Sequence, residues 1–451
     1  MSARFLDVAV VGVQSWLTRT SNLQGRRGAS TLIREATDPA RVMADIPGLG
    51  EIAAVNTDAG QVDGVVALRL LADGDADAER AEWAVAEHLR ARLPAASLRA
   101  VHLRGDSYAA ARAADTVLAQ REWVPMVPEW PAGKPCDWCR TWTASQMVKT
   151  ADEHIGLCRD CLARRVAAGS TVSTRAGRAP GTERDLLARL DTAARVPNDF
   201  TELAELGPPG EHTHVATLHA DGNAIGRFVT DAHTRSPGFP VAATISEATW
   251  SALLAAIAAI TPAHATVLPM VAHFVGGDDV LVSVPAHQVW RFLAALLPAF
   301  AEHTTTDRRL RKVTAPTLSA GVVVHHRAEP LSTVADLAWR LLTAAKQDHR
   351  GQHAAIGWQS VTHDGTDRIT RPSLPVADLA ARWPDLARLA ALPGSARARL
   401  GELCLAERRG AAPHRLDAHA ERLGIGETTA PFRGHGGIAL DDALALTRWW
   451  T

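Results

Sequence analysis

Between Phe5 and Val13 the run FLDVAVVGV is apolar and rich in β-branched residues, which predicts a strand. The next stretch, QSWLTRTSNLQGRRGASTLIRE, has helical spacing broken at glycine and predicts a helix or a broken helix. Further strands are expected at GVVALRLL from Gly64 and LRAVHLRG from Leu98, with a polar-faced helix from Asp77 to Leu93 between them. This first α/β unit ends near Pro128, where VPMVPEWPAGKPC reads as a hinge. After Cys161, LARRVAAGSTVSTRAGRAPGTE has the composition of a loop or linker. A second alternation starts near His214. It runs strand HVATLHADG, helix SEATWSALLAAIAAI, strands ATVLPMVAHFVG and DVLVSVP, helix QVWRFLAALLPAFAEH, strand TLSAGVVVHH, helix STVADLAWRLLTAAKQ and strand HAAIGWQSV. Almost nothing separates the two strands around Gly276–Asp279, so they must form a tight hairpin. From Asp364 to Thr451 the pattern is mostly helical.

The pattern therefore predicts an α/β (α+β) protein divided at 1–128, 129–175, 176–363 and 364–451. A length of 451 residues calls for two to four such units. With 47% hydrophobic and 22% charged residues the chain is globular rather than disordered. A formal net charge of −1 excludes a free-standing duplex-DNA binder held by bulk charge. The densest basic run, RRLRK at Arg308–Lys312, reads as a solvated loop. The N-terminus has no small-residue cleavage site, and the apolar segment from Trp250 falls short of the ~20 residues that span a bilayer. A cytoplasmic location and no membrane partner are the expectation.

Four of the five cysteines form two C-x-x-C pairs, Cys136/Cys139 and Cys158/Cys161, with eighteen residues between the pairs. This spacing predicts a closed, structural four-thiolate zinc site. A redox C-x-x-C would need only one pair. Cys404 stands alone and is expected to be a buried small apolar side chain.

The stretch HFVGGDDVLVSVP, His273–Pro285, admits two readings. Gly-Asp is ordinary turn chemistry. Adjacent carboxylates that face one space repel unless a cation or proton lies between them, which also marks divalent-metal sites. A second acidic turn, HADGNAIGRF, ends its strand on Asp221. If that strand lies beside the hairpin, Asp221, Asp278 and Asp279 converge and could hold Mg²⁺ or Mn²⁺, while Gly222, Gly276 and Gly277 bare the backbone for phosphates. Lys346, at the end of LAWRLLTAAKQ, is the candidate cation for those phosphates; a lysine there also complements the helix dipole.

The order β-α-ββ-α-β, with ADGN on its first strand, GGDD on the hairpin, LSAGVVVHH on the fourth strand and AAK closing the next helix, resembles the second palm domain of the type III CRISPR large subunit. That palm is related to diguanylate and adenylyl cyclases. The opening VAVVGVQSWLTRTSNLQGRRGASTLI resembles the start of the family's first palm, and a zinc element between palms and a helical C-terminal domain fit the same plan. The resemblance implies two ferredoxin-like palms. It implies Asp221 and Asp278 as metal ligands, Asp279 near the attacking 3′-hydroxyl, Asn223 among the nucleotide-binding residues, Ser319 and Gly321 lining the nucleotide pocket, and Lys346 on the triphosphate. The implied reaction joins ATP or another NTP 3′ to 5′ into a cyclic oligoadenylate or related cyclic nucleotide. The alternative it implies is a non-catalytic scaffold or RNA-binding subunit. Guide and target RNA, effector subunits and a homodimer are the partners it brings into view. The sequence departs from the family at Asn223, where the motif has a second Asp. It also starts at the first palm without an N-terminal His-Asp nuclease domain, so no DNA cleavage is expected.

Overall fold

The computed structural model describes residues 2–20, 22–60, 63–113, 117–125, 133–150, 153–169, 181–208, 213–236, 238–408, 415–433 and 437–450. The hinge at 126–132 and the linker at 170–180 lie outside the described residues.

The first sheet contains β1 (Ala3–Val11), β2 (Ala53–Val55), β3 (Val65–Leu70), β4 (Ser97–Gly105) and β5 (Val117–Trp123), in the order β2-β3-β1-β4-β5. A two-stranded ribbon, β6 (Gln146–Lys149) and β7 (His154–Leu157), follows. The second sheet contains β8 (His214–Asn223), β9 (Val271–Gly276), β10 (Asp279–Pro285), β11 (Thr317–His326), β12 (Ala355–Ser360) and β13 (Leu374–Pro375), in the order β13-β12-β11-β8-β10-β9. Without β13 this is the strand order of the first sheet, so the two-palm expectation holds.

Period-2 alternation sorts the faces of each sheet. In the first, Leu6, Val8 and Val10 of β1 share a core with Ile33, Val85 and Leu89 of the helices Leu23–Thr37 and Asp75–Arg92. In the second, Ala216, Leu218 and Ala220 of β8 and Val280, Val282 and Val284 of β10 pack on the helices Val241–Ile260 and Val289–Thr304. The alternate residues, among them Thr217, His219, Asp221, Asp279 and Ser283, fall on the opposite face. There Phe274, Leu281 and Ala335 join the core of the first palm, so one palm seats on the other. The C-terminal helices Val376–Ala390, Gly394–Arg408, Arg415–Arg422 and Leu440–Leu446 extend the second core, and Trp290 Nε1 donates to the Leu446 carbonyl at 3.1 Å.

Several expected elements differ. The segment after Cys161 is helical over Arg159–Ala168 before the linker, because its LARRVAA half lacks the glycines of the rest. An unpredicted helix, Ile225–Arg235, follows β8. The strand expected from Ala265 begins only at Val271; Pro269, which has no N–H to give a ladder, stands just before it. The strands β2 and β5, of three and seven residues, escaped notice, as did β6, β7 and β13. The apolar helix starts at Val241 rather than Ser246, and its 20 residues are long and apolar enough by composition to cross a membrane. In the fold it forms part of the second core, packed on the sheet.

Candidate active site and thiol cluster

The acidic corner is built by β8, the β9–β10 hairpin and the helix Leu331–Asp348. Asp279 pairs with Gly276, which leaves Gly277 and Asp278 as a two-residue turn. Gly277 takes φ +62° there, the backbone that a turn with glycine first demands. Residues Val280 and Ala220 pair across β10 and β8, so Asp221 and the hairpin share one sheet edge as predicted. The Gly222 N–H donates to Asp278 Oδ2 at 3.1 Å. A Cβ on Gly222 would lie 2.4 Å from that same oxygen, so only glycine permits the contact.

Lys346 Nζ sits against Asp221 Oδ2 and donates to the Gly222 carbonyl at 2.8 Å. Its ammonium supplies a counter-charge to Asp221 alone among the three carboxylates. Burial, then the charges of Asp221 and Asp279, push the Asp278 carboxyl up to about 6. Such repulsion is what a divalent ion relieves, and the donors are hard oxygens, so Asp221 and Asp278 fit Mg²⁺ or Mn²⁺. The three carboxylates do not form one ready-made ligand cluster, however. Among the described residues only the four thiols bring three or more ligating atoms within 4.8 Å of one another. Each carboxylate is engaged separately: Asp221 by Lys346, Asp278 by a backbone amide, and Asp279 by two side chains. Asp279 Oδ1 accepts from His219 Nε2 at 2.6 Å and Oδ2 accepts from Gln14 Nε2 at 2.8 Å.

The remaining predicted residues divide. Asn223 is buried, and its Nδ2 donates to Thr317 Oγ1 and Ser319 Oγ, each at 2.9 Å, while its Oδ1 has no protein partner. Ser319 pairs with Asp221 across the ladder, and its hydroxyl accepts from the Ala355 N–H at 3.1 Å. Ser319 and Asn223 thus brace β8, β11 and β12 beneath the corner. Gly321 is a correction: it is buried under the helix Leu331–Asp348 rather than lining an open pocket. A Cβ on it would lie 1.9 Å from the Ala338 carbonyl. Gly321 and Gly357 let this helix lie on the sheet, and the helix delivers Lys346 to Asp221. Gly276 has the Phe274 ring 2.7 Å from where its Cβ would be, whereas Gly277 faces open space. Sequence reasoning missed His219 and Gln14 as site residues. His219 lies two positions before Asp221 on one strand, hence on the same face, and that period was legible; Gln14 is 265 positions from Asp279 and gave no such signal.

Behind the corner, a buried hydrogen-bonded row crosses four strands. His273 on β9, Ser283 on β10, Thr217 on β8 and His325 on β11 are linked in that order, each step 2.8 Å. His325 Nδ1 donates to the His326 carbonyl at 2.9 Å, which fixes every other donor in the row. Thr217 donates to His325, Ser283 to Thr217, and His273 to Ser283. Burial holds His325 down to about 4 and His273 well below its usual range, so both rings are neutral at pH 7.

The cysteine expectation holds geometrically. Cys136, Cys139, Cys158 and Cys161 are buried with their sulfurs within 4.8 Å of one another, a donor set that fits a tetrahedral zinc ion. Cys158 also caps the helix Arg159–Ala168. That helix binds the first palm: the Arg164 guanidinium lies 4.2 Å from the Trp16 ring centre, donates to the Trp16 carbonyl at 2.9 Å and pairs with Asp160 at 2.8 Å. Gly28 makes the approach possible, since a Cβ there would lie 1.8 Å from the Arg164 carbonyl. Cys404 is buried in the second core, as expected.

Taken together, the paired sheets define a two-palm fold, and the acidic corner lies in the second palm. Residues 214–354 match the family model of the Cas10/Cmr2 second palm domain. Along nearly its whole length the chain has the fold of solved type III-A Csm1 structures. It matches a chain of the Csm1–Csm4 cassette in complex with pppApA at TM-score 0.58 and 12% identity, covering 99% of this chain and 69% of that one. It matches Csm1 of T. onnurineus at TM-score 0.56 and 14% identity, covering 99% and 69%. A chain of the cassette in complex with cA4 matches at TM-score 0.53 and 13% identity, covering 99% and 70%. No curated protein matches the chain by sequence. The resemblance to the type III CRISPR large subunit thus has support from both the segment match and the fold.

Proposed function

We propose that the second palm is a nucleotidyltransferase that joins ATP 3′ to 5′ into a cyclic oligoadenylate, or a related cyclic nucleotide, in CRISPR-type antiviral signalling. The observation that carries this reading is the corner itself: Asp221 and Asp278 at one sheet edge, a carboxyl pushed up by burial and then by its acidic neighbours, and Lys346 against Asp221. The relatives crystallised with pppApA, AMPPNP, cA3 and cA4 support the substrate class.

In each step the 3′-oxygen of one nucleotide forms a bond to the α-phosphorus of another, the bond to the β-phosphate oxygen breaks, pyrophosphate leaves, and the hydroxyl proton passes to solvent. Divalent cations bound between Asp221 and Asp278 would lower the charge on the reacting phosphate and brace the leaving group. Gly222 and Gly277 keep the backbone bare where phosphates approach. Lys346, once released from Asp221, pairs with the triphosphate. Asp279, already fixed on both oxygens, presents its charge beside the attacking hydroxyl. Zinc in the four thiols would fasten the element that docks on the first palm. Complex partners such as a second effector subunit and RNA belong to the same reading, since the relatives are Csm1–Csm4 cassettes.

Purified full-length chain with Mg²⁺ or Mn²⁺ and each labelled NTP, with and without target RNA, should release pyrophosphate and give a phosphatase-resistant product. Equal inactivity of wild type and the Asp278→Ala/Asp279→Ala variant under all these conditions overturns the synthase reading. That outcome favours the scaffold alternative, to which the separate engagement of the three carboxylates would then belong.

A further inference from the structure

The Asp279 carboxylate is held by residues from both palms. Gln14 lies in the short helix Val13–Leu17 just past β1, and Gly12 before it takes φ +63°, turning the chain out of the first sheet. The bond from Gln14 Nε2 to Asp279 Oδ2 is a side-chain contact between the first palm and the hairpin of the second. His219 Nε2 takes the other oxygen from within the second palm. Two donors, one on each oxygen, fix the rotamer of a carboxylate. The orientation of the Gln14 amide is set by this contact, since only its nitrogen can face a carboxylate; its Oε1 is buried without a protein partner. Leu281, two residues along β10 from Asp279, packs in the first palm's core, so the hairpin strand and the Gln14 contact belong to one inter-palm seam.

We propose that Gln14 and His219 are positioning residues for Asp279, and that the acidic corner of the second palm is complete only while the first palm is docked on it. The proposal rests on reading the corner as a metal-dependent transferase site. It assigns the first palm a part in the chemistry of a corner that lies in the second. Any event that shifts one palm on the other would act through a single amide on the orientation of the carboxylate beside the reacting hydroxyl.

The test uses the full chain and two readouts: Mn²⁺ affinity of the Asp278 site, measured by electron paramagnetic resonance against the Asp278→Ala/Asp279→Ala background, and steady-state product formation. Gln14→Leu removes the donor, and Gln14→Glu keeps the shape while placing an oxygen against Asp279. Both should lower Mn²⁺ affinity or kcat by roughly 10- to 100-fold, as the loss of partners that orient metal-site carboxylates does, with kcat falling more than KM rises and Glu worse than Leu. His219→Gln, which retains a donor at the same reach, should recover most of what His219→Leu loses. Near-UV circular dichroism on each variant checks that the palms remain packed; if Leu at position 14 unpacks them, the near-isosteric Glu variant decides. Values within twofold of wild type for both Gln14 variants overturn the proposal, and so does equal loss for His219→Gln and His219→Leu. A wild type that binds Mn²⁺ yet makes no product sinks the synthase reading alone and leaves positioning to the Mn²⁺ series. A wild type that binds no Mn²⁺ overturns both.

Discussion

The two palms share a strand order and differ in what their edges carry. In the second, a two-residue hairpin presents Asp278 and Asp279 beside Asp221, and an 18-residue helix, Leu331–Asp348, crosses to a parallel β12 and brings Lys346 over the edge. In the first, β1 ends on Val10 and Val11 with Gly12 just after it, and β2 and β3 are joined by the longer Asn56–Gly64 connection. Its β5 runs antiparallel to β4, after a six-residue helix, Tyr108–Ala113, in place of the long crossover. With no long helix above it, the middle of β4 holds Val101 and Leu103 where β11 needs Gly321. One scaffold thus supports a site in one copy and a support in the other, and the difference lies in turn length and crossover length rather than in the sheet.

The comparison can be pressed hardest at the thiols. Cys136→Ser should remove zinc, about one per chain in the wild type by elemental analysis, and destabilise the first palm by several kcal/mol, because metal affinity of roughly 10–16 kcal/mol in zinc-finger peptides is folding free energy. Hydrogen exchange should then rise in the helix Leu23–Thr37, which packs on the thiol element, more than in β8 and β11; uniform exposure would mean that the palms fold as one unit. Next in size, Asp278→Ala should reduce product formation at least about 100-fold, since metal assistance is worth several kcal/mol and each ~1.4 kcal/mol is tenfold. Asp58→Ala, in the first palm's connection, should leave turnover within twofold. A large effect there would give the first palm chemistry of its own.

Gly321→Ala should cost about 1–3 kcal/mol in denaturant unfolding through overpacking against the Ala338 carbonyl, and lower activity by displacing Lys346. Unchanged stability would show that the long helix is free to move. The smallest effect is the pH slope from the buried histidines of the second palm. His325 is held at about 4 when folded, against about 6.5 in an unfolded chain. As pH falls the unfolded state takes up protons first, so the stability this ring contributes is complete above about 6.5 and is lost progressively toward 4, at up to ~1.4 kcal/mol per pH unit for each such ring. His325→Gln should flatten that slope; a slope unchanged by the substitution would place its origin elsewhere.

Much of this architecture was legible in the order of apolar runs. The eight elements from His214 to Val361 were placed because each is an apolar run bounded by polar or turn residues, and the hairpin followed from the two residues between its strands. Elements with little apolar face were missed: β5 is exposed along nearly all its length, and β2 has three residues. Composition misled at LARRVAA, which is helical although it adjoins a stretch rich in Gly, Ser and Thr. The acidic residues announced themselves through type and spacing, but their partners did not. Gln14 meets Asp279 only through palm docking, and the burial of Gly321 depends on a helix that starts ten residues later. Contacts across 100 or more positions leave no local period to read.

The lysine on Asp221 has a further meaning on the proposed reading. An ammonium tethered within reach of its carboxylate acts as a competitor whose local concentration never dilutes, of millimolar order for short tethers. The idle molecule therefore supplies its own counter-ion, and free magnesium alone faces a threshold. A magnesium–triphosphate complex arrives with both replacements at once: metal for Asp221, and phosphate for the displaced lysine. Occupancy would then follow nucleotide rather than ambient magnesium.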